Sequence, residues 1–467
     1  MEAFCELFFD NLATLLGVTG AAMDVGRIGG LNNFGDATDL YKATVTSEWT
    51  KIYYDWNIPA CGLALLFGNV WFAWLATRLA TKENRLDVTA QPYGMNTTVI
   101  YITIYAISLP AIQAGFSKYN PGTGASDADS IALGKKAAEF GWKVSVATNF
   151  VIGFMEILGC FLGDIIRNTV PTAAVYVPLA GVGFVWLGFN PLIDVMREPL
   201  IGFIPLALCF TGFFAVRGAG VYTRNIPTAL LIFLTGTLLW WLGLARWDTE
   251  TRVGDGGDLN QREWMWNTLE RMWGLTGGKN NWSPGIALAG TLSLRAVAIQ
   301  IPIAIASFIE TVENVEAAAS VDGTTILDGK VLELKPDCYN VKEAMLADGL
   351  GTMFGALCGA VMPTTVYIGH IRHKKCDARW LYSFLNGVVF FILMMSGLMG
   401  VIFYAIDPVS IGVILIAVGL MICQQAMQLS ASRHYPALLI GIMFAIADMV
   451  YFDHFNISQG MATRSLG

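Results

Sequence analysis

Three glutamates stand at helical spacing in the stretch SFIETVENVEAAA, Ser307 to Ala319: Glu310, Glu313 and Glu316. They follow the apolar run AVAIQIPIAIASFI, so one continuous helix carries the acids within a hydrophobic segment. An ionised carboxylate near a bilayer centre costs roughly 3 kcal/mol or more, which restricts such groups to polar interiors where they accept hydrogen bonds or carry protons. On a helix Glu310, Asn314 and Ala317 stack at i, i+4 and i+7, with Glu313 beside Glu310. The small apolar run AAASV extends the helix to Val321, where Asp322 and Gly323 end it. At 1.5 Å per residue Glu310 then lies about 16 Å inside, near mid-membrane. Glu316 is closer to the end and off that face, so it reads as solvated.

The first apolar run holds a second polar pair, Asp10 and Asn11 in FFDNLATLLG. Asp10 reads equally as a helix cap near the surface or as an intramembrane proton carrier. Glu156 in GFMEILG and Asp348 in AMLADGLG are further buried acids flanked by glycine, where close helix packing is expected. Each is either a structural partner for polar backbone or part of a proton relay. His370 and His373 in GHIRHKK have the i, i+3 spacing of metal ligands, but Arg372, Lys374 and Lys375 would repel a cation, so the run reads as a basic membrane-surface anchor. The eight cysteines are scattered without ligand spacing. No nucleophile, zinc or phosphate-binding motif occurs in its required context, so neither enzyme activity nor a cofactor is expected.

These residues are held by a chain built for lipid. Of 467 residues 55% are hydrophobic and 14% charged, with a mean hydropathy of +0.54, far from the soluble range. A net charge of −7 offers no basic face for nucleic acid. Apolar windows of the length a bilayer demands fall near 4–23, 57–77, 89–112, 143–166, 171–193, 198–216, 226–244, 290–319, 342–361, 363–371, 378–405, 409–428 and 434–452, thirteen in all with one short. The N-terminus lacks the basic region of a signal peptide and reads as a retained first span. Lys and Arg gather in one alternate set of short loops, among them Arg78, Lys82, Arg85, Arg167, Lys342, Arg372 and Arg433, which makes the N-terminus cytoplasmic. The long segments 24–56, 113–142 and 245–284 then lie outside, carrying amphipathic or short helical structure.

Two spans begin badly for helices: AQPYGMNTT at Ala90 to Thr98 and AVMPTTVYIGH at Ala360 to His370. Each sets Pro and Gly beside paired threonines and an aromatic. Proline removes a backbone donor, and in lipid such breaks are tolerated where the backbone lines a cavity. They are the third span of the first seven and the third of the rest, and matched breaks in two halves point to a transporter's central site.

At this point the sequence resembles the nucleobase/ascorbate transporter family of xanthine/uracil permeases and its adenine/guanine/hypoxanthine permease relatives. The likeness runs from IAIASFIETVENVEAAASV through KEAMLADGLGTMFGALCGAVMPTTVYIGH to LYSFLNGVVFFIL, about a quarter of the chain, and extends by topology over most of the rest. The resemblance implies an all-α polytopic membrane protein of 13–14 segments in two inverted seven-helix repeats. A core domain would combine 1–166 with 285–405, a gate domain 167–244 with 406–467, and 245–284 would be an outer loop. The solute would bind between short extended strands of segments 3 and 10, with helix dipoles behind them.

Carried onto this chain, the likeness makes Glu310 the carboxylate that hydrogen-bonds a base ring. It places Tyr93, Gly94, Thr364, Thr365 and Tyr367 on the strands, with Asn11 on the first helix. From its place on the Glu310 face Asn314 is expected to join the solute site, and Glu310, Glu313 and Asp10 are the expected proton-coupling groups. The second acid that many relatives have in segment 10 is replaced here by VYIGH, and the residues after 452 are too short and polar for a full fourteenth span. The expected function is secondary transport of a nucleobase-like solute by proton symport, with the lipid bilayer and, by analogy, a second copy of the chain as partners. The alternatives are an anion carrier of the bicarbonate/sulfate type and a non-transporting membrane scaffold.

Overall fold

In the computed structural model the described residues are 2–31, 37–122, 124–169, 177, 180–181, 183–214, 228–242, 294–321, 324–327, 330–367 and 369–464. Helices dominate. In chain order they are α1 (Glu2–Leu31), α2 (Asp39–Ile52), α3 (Ile58–Glu83), α4 (Thr97–Thr103), α5 (Leu109–Lys118) and α6 (Asp127–Thr169). There follow α7 (Asn190–Arg197), α8 (Pro199–Cys209), α9 (Thr228–Trp241), α10 (Leu294–Ala319) and α11 (Val341–Cys358). The chain continues through α12 (His370–Lys375), α13 (Leu381–Met395), α14 (Leu398–Ala405), α15 (Pro408–Leu429) and α16 (Tyr435–Arg464). Among the described residues four short strands interrupt them: β1 (Tyr93–Met95), β2 (Thr324–Leu327), β3 (Lys330–Glu333) and β4 (Thr364–Val366).

Prolines follow three of the places where the long helices widen. The π-helical turns Tyr53–Asn57, Ile104–Ser108 and Gly183–Phe189 are each followed, two residues on, by Pro59, Pro110 or Pro191. Proline lacks the N–H for the i−4 bond and its ring crowds that carbonyl, so the turn before it opens without ending the helix. Caps set the other ends. Asn340 Oδ1 accepts from the backbone of Lys342 and Glu343 to start α11. Asp407 does the same for Val409 and Ser410 at α15. Gly359, with φ of 110°, closes α11 in the left-handed conformation that favours glycine.

The helices pack as two groups. In one, α6 lies against α2, α5, α10 and α11, while α3 lies against α11 and α13. In the other, α15 packs on α7, α8, α9 and the turn at 183–189, with α16 beside it. The helix α1 touches both, contacting α2, α5 and α13 on one side and α9 and α15 on the other.

The helices α6 and α11 cross backbone to backbone. A Cβ on Gly153 would stand 2.7 Å from Gly349 O, and one on Gly349 would stand 2.7 Å from Gly153 O. Backbone cannot yield as a flexible side chain would, so Gly349→Ala must part the helices. We expect a loss of about 1–3 kcal/mol, the usual cost of overpacking, read as a lower unfolding midpoint in detergent. An unchanged midpoint would mean that the helices do not meet so closely.

Several expected spans take a different form. Segment 57–77 is the second half of a helical run from Asp39 to Glu83, and 143–166 lies within the 43 residues of α6. The segments 24–56 and 113–142, expected outside the membrane, therefore contribute long helix. The span expected at 378–405 is divided at Gly397, whose φ is 76°. Among the described residues two helices, Asp39–Glu83 and Asp127–Phe161, are long and apolar enough by themselves to cross a membrane, against the thirteen spans expected. The loop expected at 245–284 lies outside the described residues, as do most of 171–182 and all of 215–227.

Candidate functional site

Both irregular segments become strands, and the strands meet. β1 and β4 pair antiparallel, with Tyr93 opposite Val366, Gly94 opposite Thr365 and Met95 opposite Thr364. Two short strands joined only to each other expose polar backbone to their surroundings, so side chains from flanking helices complete the pattern. Asn11 of α1 accepts from Met95 N at 3.1 Å and donates to Leu7 O. Asn314 of α10 donates to Val366 O at 2.8 Å. Tyr93 bonds Thr364 Oγ1 at 2.6 Å through its hydroxyl. Asn11, Asn314 and Tyr93 thus spend polar atoms on holding the strands.

The approaches to the strands are clamped separately. Gly359 O, Ala360 O and Val361 N, before β4, bond to Trp142, Asn149 and Asn57 at 3.0, 2.9 and 2.8 Å. The approach to β1 is held by Asp337, a fully buried carboxylate in the connection between α10 and α11. Its oxygens meet Arg85 at 2.7 Å, Lys374 at 2.7 Å, His370 at 3.0 Å and the backbone N of Thr89 at 3.1 Å. Burial works to raise its pKa, but the hydrogen bonds and charges of His370 and Lys374 prevail and hold it below the usual carboxylate value. The histidine His370 and the lysine Lys374, read in sequence as a basic anchor, therefore serve an internal ion cluster, and both are buried.

Glu310 projects from α10 beside this strand pair. Its carboxylate is hydrogen-bonded by the Asn96 side chain, and its Oε2 is buried without a hydrogen-bond partner among the described residues. Asn96 follows β1 directly and also donates to Ser307 Oγ at 3.0 Å. Tyr367, the residue after β4, brings its hydroxyl to Thr14 at 3.5 Å and to Thr97, with Asp10 and Glu310 as neighbouring charges. Thr14 and Thr97 bond each other at 2.8 Å. Gly94 lies against Asn11 and Tyr367, where a Cβ would stand 2.7 Å from the tyrosine Cζ. Glycine at this position is what lets the ring close over the strand.

The predicted residues thus fall into two sets. Glu310, Tyr367 and Asp10 share one polar region, next to Gly94. Thr365 points instead to Asp348 and Thr311, at 3.2 and 3.0 Å, and Thr364 to Thr352. Glu313 and Glu316 are partly buried further along α10. Asn96, Ser307, Thr311 and Asp337 were missed in sequence. A signal for two of them was present: Ser307, Glu310, Thr311 and Asn314 stand at i, i+3, i+4 and i+7, one continuous polar stripe on α10. Helix α4 starts at Thr97 immediately behind β1, whereas behind β4 comes only the six-residue α12.

Compared with known proteins, the sequence pattern described as Permease family matches residues 144–371. The resemblance to the nucleobase/ascorbate permeases is borne out over that stretch. The permease match begins within α6 and ends in α12, so it includes Glu156, Glu310, Asp348 and β4. Transport across a membrane, not enzyme chemistry, is the activity to which it points. No curated protein matches the chain. Among solved structures, the transmembrane domain of a cyanobacterium bicarbonate transporter, BicA, is 10% identical, covers 94% of this chain and 96% of that one, and has a TM-score of 0.48. The murine Solute Carrier 26 family member A9 anion transporter, in its inward-facing state, is 13% identical over 95% of this chain and 68% of that one, with a TM-score of 0.36.

Proposed function

We propose that the chain is a secondary transporter of a small planar solute of the nucleobase type, bound beside the β1/β4 pair and moved by proton symport. The observation that carries this reading is Glu310 Oε2, an acceptor buried beside two broken segments and without a partner among the described residues. A ring N–H supplies the donor that such an oxygen lacks, and bonds to ionised groups are among the stronger ones. Tyr367 offers an aromatic face next to it, and Gly94 lets backbone approach closely. Glu313 and Asp10 act as further carboxylates that follow a proton, and Thr364, Thr365, Asn11, Asn314 and Tyr93 hold the strands in shape.

Motion is assigned to the two helix groups. The group around α6 and α3 carries both strands and acts as core, and the group around α15 acts as gate; rocking one against the other exposes the site alternately. The test is thermal unfolding of the detergent-purified protein with purines, pyrimidines, ascorbate, bicarbonate and sulfate. A ligand at 100 times its dissociation constant stabilises by about 2.7 kcal/mol. Stabilisation by one class of base is the expected result. Stabilisation by an anion alone would overturn the reading in favour of an anion carrier, and none by any solute would favour a scaffold.

A further inference from the structure

Next to the strands, where Thr365 meets Asp348, the α6/α11 crossing buries two more acids. Glu156 follows Gly153 by three residues and Asp348 precedes Gly349, and both are 1% exposed. Ser307 donates to Glu156 Oε1 at 2.7 Å, and Glu156 also reaches the Thr352 hydroxyl, one turn along α11 from Asp348. Asp348 Oδ2 accepts from Thr311 at 2.5 Å and Thr365 at 3.2 Å. Each carboxyl group keeps one oxygen, Glu156 Oε2 and Asp348 Oδ1, buried and without a hydrogen-bond partner among the described residues.

The facing titratable groups are Glu310 of α10, Tyr93 of β1 and Cys160 on α6. None is a cation, and among the described residues neither acid has an ion pair. Two buried carboxylates sharing a site without a counter-charge cannot both ionise, as repulsion and lost hydration act together. The pair must hold at least one proton. Its link to the solute region is short: Glu310 to Asn96, Asn96 Nδ2 to Ser307 Oγ at 3.0 Å, and Ser307 to Glu156.

We propose that Glu156 and Asp348 form the proton-binding site of the transport cycle, a carboxyl pair coupled to Glu310 through Asn96 and Ser307. This deepens the proton-symport reading and rests on it. The pair alternates between one proton and two: an O–H bond forms on the side where the proton enters and breaks on the side where it leaves. With two protons the pair is neutral, so it adds no buried charge of its own to the core as it crosses. Asn96 and Ser307 act as positioning residues. When the solute takes Glu310, the Asn96 amide and with it the Ser307 hydroxyl are re-aimed, which changes the proton affinity of Glu156.

The experiment reconstitutes the full-length protein in liposomes containing a pH-sensitive dye and supplies the solute that stabilised it. Wild type is expected to acidify the lumen as solute enters. Glu156→Gln is expected to exchange solute for solute at a reduced rate while losing proton co-import and accumulation. Ser307→Ala should shift the pH midpoint of uptake. Proton co-import by Glu156→Gln equal to wild type overturns the proposal. A second measurement is independent of transport and of that variant's folding: the infrared carbonyl band of a protonated carboxyl group, present in purified wild type at neutral pH, should diminish in Asp348→Asn. No such band in wild type also overturns it. If wild type transports no solute, the permease reading fails, and the infrared band alone decides whether the pair holds its proton.

Discussion

Glu310→Gln is expected to weaken the affinity for the stabilising solute about 10- to 100-fold, because a hydrogen bond to an ionised group is worth roughly 1.5–3 kcal/mol. Gln keeps the size and one acceptor oxygen but presents an amide where the carboxylate has its unpartnered Oε2. A ring N–H then meets a neutral acceptor or a second donor. The ligand-free fold should survive, since the bond to Asn96 can be remade by a glutamine oxygen. Isothermal titration of the purified variant measures the change. Undiminished affinity would remove Glu310 from the site and leave it a structural partner of Asn96.

Asp337→Ala should cost the fold about 3–5 kcal/mol, the usual loss when one side of a buried ion cluster is deleted. Lys374 and His370 are 4% and 2% exposed, and without Asp337 they would face one another in a buried site. Thr89 N would lose its acceptor as well, freeing the segment that leads into β1. The effect also depends on pH in a defined direction. Because the folded protein holds the Asp337 pKa below its ordinary value of 3.8, its contribution is complete above that value and declines as pH falls from there toward the folded pKa. The stability gap between wild type and Asp337→Ala should therefore be constant near neutrality and narrow in acid. Chemical unfolding of both proteins along a pH series tests this. A gap that widened in acid would show that the carboxylate is not held ionised by its partners.

These expectations divide between what the residues disclosed and what the fold arranged. Composition alone put the chain in a bilayer, because no soluble core could bury so many apolar side chains. Pro and Gly beside the threonine pairs marked the third and tenth segments as broken, since proline forfeits a backbone bond wherever it stands. Glu310 stood out because a carboxylate inside an apolar helix demands a reason. Its i, i+4 relation to Asn314 correctly described their spacing on α10, yet their contacts diverge, with Asn314 holding Val366 and Glu310 meeting Asn96. Periodicity specifies a face of a helix and says nothing of what is packed on it.

The rest was decided by contacts between residues far apart in sequence. The pairing of Gly94 with Thr365 joins positions from different halves of the chain, and strands of three residues carry too little pattern to announce their register. The basic run HIRHKK looked like a membrane-surface anchor because its partner Asp337 lies on another connection, and local charge cannot reveal a distant counter-ion. Glu156 and Asp348 were each legible as costly acids. That they lie behind one strand pair follows from Gly153 and Gly349 allowing α6 and α11 to touch. Only that helix crossing turns two isolated carboxylates into a site with a shared proton.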